Sequence, residues 1–176
     1  LKKIKNNTNV LEGLLAKSRK IETPTEKLGI SVGNESAKYH VIKVCNPYCG
    51  PCAKAHPVLE SLVKTGKISL QILFIASSTE DKIGKTVSHF LAIDAQGDKN
   101  KTQKALDDWY ESEQKDYGTF SRKYPSNGEL EVQKNKIEAK SHWCKSENII
   151  GTPTVFINGY ELPNESTIND LTEVLR

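Results

Sequence analysis

An α/β fold is predicted on three observations. Near the N-terminus two β-branched runs and a third, apolar one flank an amphipathic helix; about 70 residues of helical pattern follow; a strand and a tight hairpin then return the chain to sheet. Such a strand–helix–strand unit places a helix against a central mixed sheet, and the helical block reads as a subdomain inserted into it.

Each element has its own reason. Residues 1–20 carry Val10, Leu11, Leu14 and Leu15 at helical spacing, which predicts a lead-in helix or linker before a domain spanning 21–176. "KLGISVGN" and "YHVIKVCN" read as two strands separated by Gly33 and Asn34. "CGPCAKAHPVLESLVKTG" puts Val58, Leu59, Leu62 and Val63 on one face, so a helix is expected from Cys49, kinked at Pro57. "KISLQILFIA" is apolar enough for a strand covered on both faces.

The insertion is expected over about 78–147. Residues 81–95 place Ile83, Val87, Phe90 and Leu91 on one helical face, with Ser78, Thr79 or Asp81 as caps. Residues 101–116 repeat the pattern with Ala105, Leu106, Trp109 and Tyr110. "YGTFSRKYPSNG" reads as a break before a third helix at about 129–146. "TPTVFINGYELP" then gives a strand, an Asn158-Gly159 turn and a short edge strand ending at Pro163. A last helix bears Ile168, Leu171, Val174 and Leu175, with Thr167 and Asp170 as caps.

The 176 residues carry a net charge of +3 with the lysines dispersed, which argues against a nucleic-acid partner. The longest apolar run, "ILFIA", is far too short to span a membrane. The chain starts at Leu1 and contains no methionine, so it reads as a processed mature chain or a domain cut from something longer.

Three of the four cysteines cluster in "CNPYCGPCAKAHP", and that clustering points to chemistry. Cys45, Cys49 and Cys52 have a spacing that can hold an iron–sulfur cluster, but the short chain leaves no room for the scaffold such clusters use. With His56 they form a zinc set by residue type, although tetrahedral zinc prefers flexible knuckles to a helix start. A metal-binding protein or metallochaperone using these residues is the alternative reading. The preferred one is a dithiol. Cys49 sits where unpaired N–H groups and the helix dipole favour a thiolate, and Cys52 lies one turn on, within reach of a disulfide. Pro51 suits a first helical turn, where no N–H is wasted.

The tetrad "CGPC", Pro57 in the helix and "GTPTVFING" resemble thioredoxin-like proteins, and the helical insertion resembles that of DsbA-type oxidoreductases. The resemblance covers about residues 25–176 and implies a thioredoxin fold. It implies a redox-active Cys49–Cys52 disulfide as the catalytic pair, a cis Thr152-Pro153 bond, and Tyr48, Gly50, Pro51, Thr152 and Pro153 at the substrate. No metal or organic cofactor is implied. The activity would be thiol–disulfide exchange on cysteine-containing exported proteins, as oxidase or isomerase rather than reductase, in an extracytoplasmic compartment such as a bacterial periplasm. "NPYCGPCAKAHP" also resembles thioredoxin-like domains joined to vitamin K epoxide reductase-type membrane modules, which implies a membrane redox partner and a tether outside this chain.

Four residues are expected to modulate the pair. Lys43 stands where these families carry a buried acid; it reads as pointing to an exposed edge, since burying lysine is costly, or else as an ammonium steadying Cys49. His56 reads as a half-exposed surface histidine in preference to a proton shuttle. Cys45 and Cys144 read as buried small hydrophobes. A second disulfide between them, or Cys45 acting as a resolving thiol for Cys49, stands beside that reading.

Overall fold

The computed structural model describes residues 8–126, 133–162 and 168–175. Five strands form one mixed sheet in the order β1-β3-β2-β4-β5: β1 Ile30–Gly33, β2 Tyr39–Cys45, β3 Ile68–Phe74, β4 Thr154–Ile157 and β5 Tyr160–Glu161. β2 runs parallel to β3 and antiparallel to β4, so it is a central strand with a hydrogen-bonded neighbour on each side. Helix α1 (Thr8–Ala16) buries Leu11 and Leu15. Helix α2 (Gly50–Lys64) links β2 to β3 and carries Pro57 on its exposed side.

Among the described residues, four helices intervene between β3 and β4. They are α3 (Lys82–Ala95), α4 (Lys99–Glu111), α5 (Tyr117–Lys123) and α6 (Lys134–Ser146). The α/β expectation of a mixed sheet with helices inserted between its strands holds. Asp81 caps α3 through its bond from the Gly84 N–H, 2.7 Å, as the sequence suggested. Asp98 caps α4, which ends at Glu111 rather than at 116. The expected break over 117–128 is in part a helix: Asp116 caps α5, and Phe120 from it enters the core. Aromatic and glycine residues at 117–120 have weak helix propensity, so packing rather than local preference holds this turn.

The hairpin between β4 and β5 follows from Asn158 and Gly159, whose positive φ of 50° and 89° is what a two-residue turn of this type requires. A single turn, Ile168–Asp170, leads into α7 (Leu171–Val174), which buries Leu171 and Val174. Pro163 and Thr167 lie outside the described residues. Among the described residues, no helix is long and apolar enough to cross a membrane.

Side chains alternate along a strand, so Tyr39, Val41 and Cys45 enter the larger core cluster, under α2 and the insertion. Val44 faces the other way and meets Leu73, Trp143 and Phe156. The larger cluster extends into an aromatic box in the insertion: Phe90, Trp109 and Phe120 meet edge to face with centroids 5.3–5.7 Å apart.

Candidate active site

Cys49 is the N-cap of α2, in extended backbone, with its Sγ accepting the Cys52 N–H at 3.2 Å. The first-turn amide thus points at the sulfur, as a helix N-terminus favours for a thiolate. Cys49 is half-buried, whereas Cys52 is wholly buried. Across from the pair, the Thr152-Pro153 peptide bond is cis, and the Cys49 thiol reaches the Thr152 carbonyl at 3.7 Å. Gly50 and Pro51 are exposed, and a side chain at Gly50 would meet nothing within 4 Å, so the approach to Cys49 is open.

The loop before Cys49 is tied to the insertion. Trp109 Nε1 donates to the Pro47 carbonyl at 2.7 Å, and the Tyr48 ring stands edge-on to Trp109 at 5.3 Å. Tyr48 also pairs its hydroxyl with Thr86 at 2.7 Å, and the Lys82 ammonium lies over its ring at 4.2 Å. Two insertion helices therefore hold the segment that delivers the nucleophile.

Lys43 does not point to an exposed edge. It is 1% exposed, because β2 is central and its Lys43 face is covered by α2 and α4. Its Nζ donates to the Cys52 carbonyl at 3.0 Å and lies 4.7 Å over the Tyr110 ring. Its charge acts chiefly on Cys45 and His56 rather than on Cys49.

His56 is buried as well, not half-exposed. Its Nε2 donates to Asp107 at 2.6 Å, and its ring stacks on Tyr110 at 5.0 Å. Both partners come from α4, which packs on α2 and covers what would otherwise be a surface residue. Burial pushes the imidazole below its ordinary pKa, against the pull of Asp107. The alternative zinc set of the cysteines and His56 does not assemble. The group of three among the described residues that could hold a metal is His56, Glu60 and Asp107, with ligand atoms within 4.8 Å of one another, and it includes no cysteine.

Glu60 belongs to that buried trio, with Oε1 unpartnered inside the protein. Burial, helped by Asp107, pushes its carboxyl up to about 7. The folded protein therefore holds a proton that the unfolded chain has already released, and stability falls as the pH rises from about 4.5 to about 7. Glu60→Gln is expected to match the wild type below pH 4.5 and to exceed it by about 1–3 kcal/mol above pH 7. Chemical denaturation of both proteins across that range checks it; parallel profiles would contradict it.

Cys45 is wholly buried, as the sequence suggested, but Cys144 is only half-buried. Cys45 packs in the larger core cluster and Cys144 against the smaller one, and all four cysteines are free thiols, so no Cys45–Cys144 disulfide is formed. Cys45 shares the larger core cluster with Cys52, and Tyr110 Oη donates to Cys45 Sγ at 3.4 Å. The neighbouring Cys45 thiol, then burial, pushes the Cys52 thiol well up; partial burial, with a smaller contribution from Cys52, pushes Cys49 up as well. Sequence reasoning placed Tyr110 in the core of a helix and passed over Glu60 and Asp107. Their part in the site depends on α4 docking on α2, which no local pattern announces.

Comparison with known proteins agrees with this architecture. Residues 25–176 match the family model described as Thioredoxin. The chain belongs to the thioredoxin family. Among solved structures, oxidised BdbD from Bacillus subtilis superposes with a TM-score of 0.67 at 11% identity, covering 90% of this chain and 96% of that one. The thiol-disulfide exchange protein alpha-DsbA2 from Wolbachia pipientis gives 0.65 at 16% identity over 82% and 84%. BcfH from Salmonella enterica Typhimurium gives 0.67 at 18% identity over 85% and 73%. At these identities the likeness shows the fold, a thioredoxin fold of the DsbA type. No curated protein matches the sequence. Within this thioredoxin-family chain, a cleft of about 440 Å³ opens beside the cis-proline loop, lined in part by Ile75, Ile83, Cys144, Ile149 and Ile150. Ile150 is fully exposed at its rim.

Proposed function

We propose that this chain is a thiol–disulfide oxidoreductase acting on cysteine-containing protein substrates. The observation that carries the reading is the pairing of Cys49 and Cys52 at the start of α2, with the Cys52 amide on the Cys49 sulfur and the cis Thr152-Pro153 bond opposite. Cys49, the half-exposed member, forms the mixed disulfide, and Cys52 resolves it from the buried side. The backbone of Thr152 pairs with an extended substrate segment, while Tyr48, Gly50, Pro51 and Pro153 shape its approach. The cleft next to that loop, where four isoleucines stand among Asp81, Lys145 and Asn148, suits the mixed side chains of an unfolded polypeptide.

Oxidation or shuffling of disulfides fits the site better than reduction. The helical insertion between β3 and β4, part of the fold shared with the thiol-disulfide exchange protein alpha-DsbA2, supports that direction, whereas the Lys43 charge reaches Cys45 and His56 rather than the Cys49–Cys52 pair. Substrates with disulfides place the work in an extracytoplasmic compartment. A membrane redox module of the vitamin K epoxide reductase type would exchange electrons with the pair at Cys49. Reactivation of a reduced, unfolded disulfide protein and of its scrambled form tests the reading. Acceleration of either reaction by catalytic amounts of the chain is expected; no acceleration of either would overturn it.

A further inference from the structure

His56, Glu60 and Asp107 form a group that the exchange chemistry leaves unused. His56 and Glu60 lie four residues apart on α2, so both side chains leave one face of that helix, and Asp107 meets them from α4. One donor atom from each residue lies within 4.8 Å of the other two. His56 and Glu60 are 1% and 4% exposed. Glu60 Oε1 is enclosed there with no hydrogen-bond donor among the described residues, a condition that folded proteins rarely leave uncompensated. Asp107 brings a second carboxylate to the same place. Lys64 reaches only its outer oxygen, at 3.9 Å, from a largely exposed position. The enclosed side of the group lacks a cation.

We propose that His56, Glu60 and Asp107 bind a divalent transition-metal ion, zinc by its ligand chemistry, between α2 and α4. The donors are one imidazole nitrogen and two carboxylate oxygens. Zinc accepts that mixture, whereas calcium and magnesium take oxygen ligands, and copper(I) seeks sulfur, which this group does not offer. Facing helices that each contribute inward side chains are a common way to build such a site.

The geometry needs side-chain adjustment only. Donors about 2.1 Å from one ion stand roughly 3.4 Å apart in a tetrahedral arrangement. The His56–Asp107 pair must open from 2.6 Å, and the widest separation must close from 4.8 Å or less. The imidazole stays neutral: its proton moves to Nδ1, and the Nε2 lone pair takes the ion. Two carboxylates balance the double charge. Asp107, with 21% of its side chain exposed, marks the side from which the ion and a completing water enter. A bound ion clasps the helix that begins after Cys49 to the insertion helix that carries Trp109 and Tyr110.

Cobalt(II) titration of the metal-stripped full chain, followed by visible and near-ultraviolet absorption, tests this. One cobalt per chain is expected, with weak visible bands, no intense sulfur-to-cobalt charge-transfer band, and displacement by zinc. Glu60→Gln and Asp107→Asn keep side-chain size and should each weaken binding more than about ten-fold. Zinc should raise the melting temperature of the wild type and of neither variant. No cobalt bound, a charge-transfer band showing that thiolates hold the ion, or unchanged affinity in either variant overturns the proposal. Each of those results leaves the disulfide exchange untouched, because that reaction uses other residues.

Discussion

Cys49→Ser is expected to abolish catalysed disulfide exchange, leaving the rate of the substrate and buffer alone. Cys49 is the one sulfur of the buried trio that solvent and substrate can reach; Cys45 and Cys52 are each 0% exposed. A serine hydroxyl keeps the N-cap acceptor for the Cys52 N–H, so the helix start survives and folding stability should change by less than about 1 kcal/mol. The reciprocal change, Cys52→Ala, should preserve attack and remove resolution. It should therefore accumulate a Cys49-linked adduct with an unfolded disulfide substrate, visible as a band that reductant dissolves. Residual wild-type-like turnover in Cys49→Ser would place the nucleophile elsewhere.

Trp109→Ala is expected to cost about 3–5 kcal/mol of stability, a large part of what a domain of this size has. Trp109 is 2% exposed and touches Tyr48, Phe90 and Phe120, so truncation opens a cavity where the insertion meets the active-site loop. It also orphans the buried Pro47 carbonyl. Trp109→Phe separates the two effects: it keeps most of the volume and loses the hydrogen bond, for about 1–3 kcal/mol. The exchange rate should fall in both variants, because the loop that presents Cys49 loses its tie. Denaturant titration with an exchange assay checks both, and an alanine variant less than about 1 kcal/mol below wild type would contradict the packing argument.

The parts of the fold that were legible in the sequence are those fixed by local chemistry. The start of α2 was announced by a cysteine cap and Pro51, and the β4–β5 turn by Asn158-Gly159, whose left-handed backbone few other pairs accept. The errors share one cause. Lys43 and His56 were read as exposed because their neighbours in sequence do not reveal what covers them. Lys43 is enclosed by the central position of β2 and by α2, and His56 by Asp107 and Tyr110 from a helix about 50 residues away in the chain. The helix α5 was missed because Tyr117, Gly118 and Phe120 favour a break locally, and only the aromatic cluster around Phe120 makes the turn worthwhile. The contact of Cys45 with Tyr110 had no sequence signal, since a strand-end cysteine and a tyrosine of the insertion meet only after α4 docks.

The midpoint potential of the Cys49–Cys52 pair, read by thiol trapping across a series of poised thiol buffers, tests the central claim most directly. One two-electron transition is expected, in which Cys49 leaves the alkylatable pool, with a midpoint above the roughly −270 mV of thioredoxin and nearer the roughly −180 mV of protein disulfide isomerase. Cys49 that stays alkylatable through the whole series would contradict the claim, and a midpoint at or below thioredoxin's would contradict the direction assigned to it.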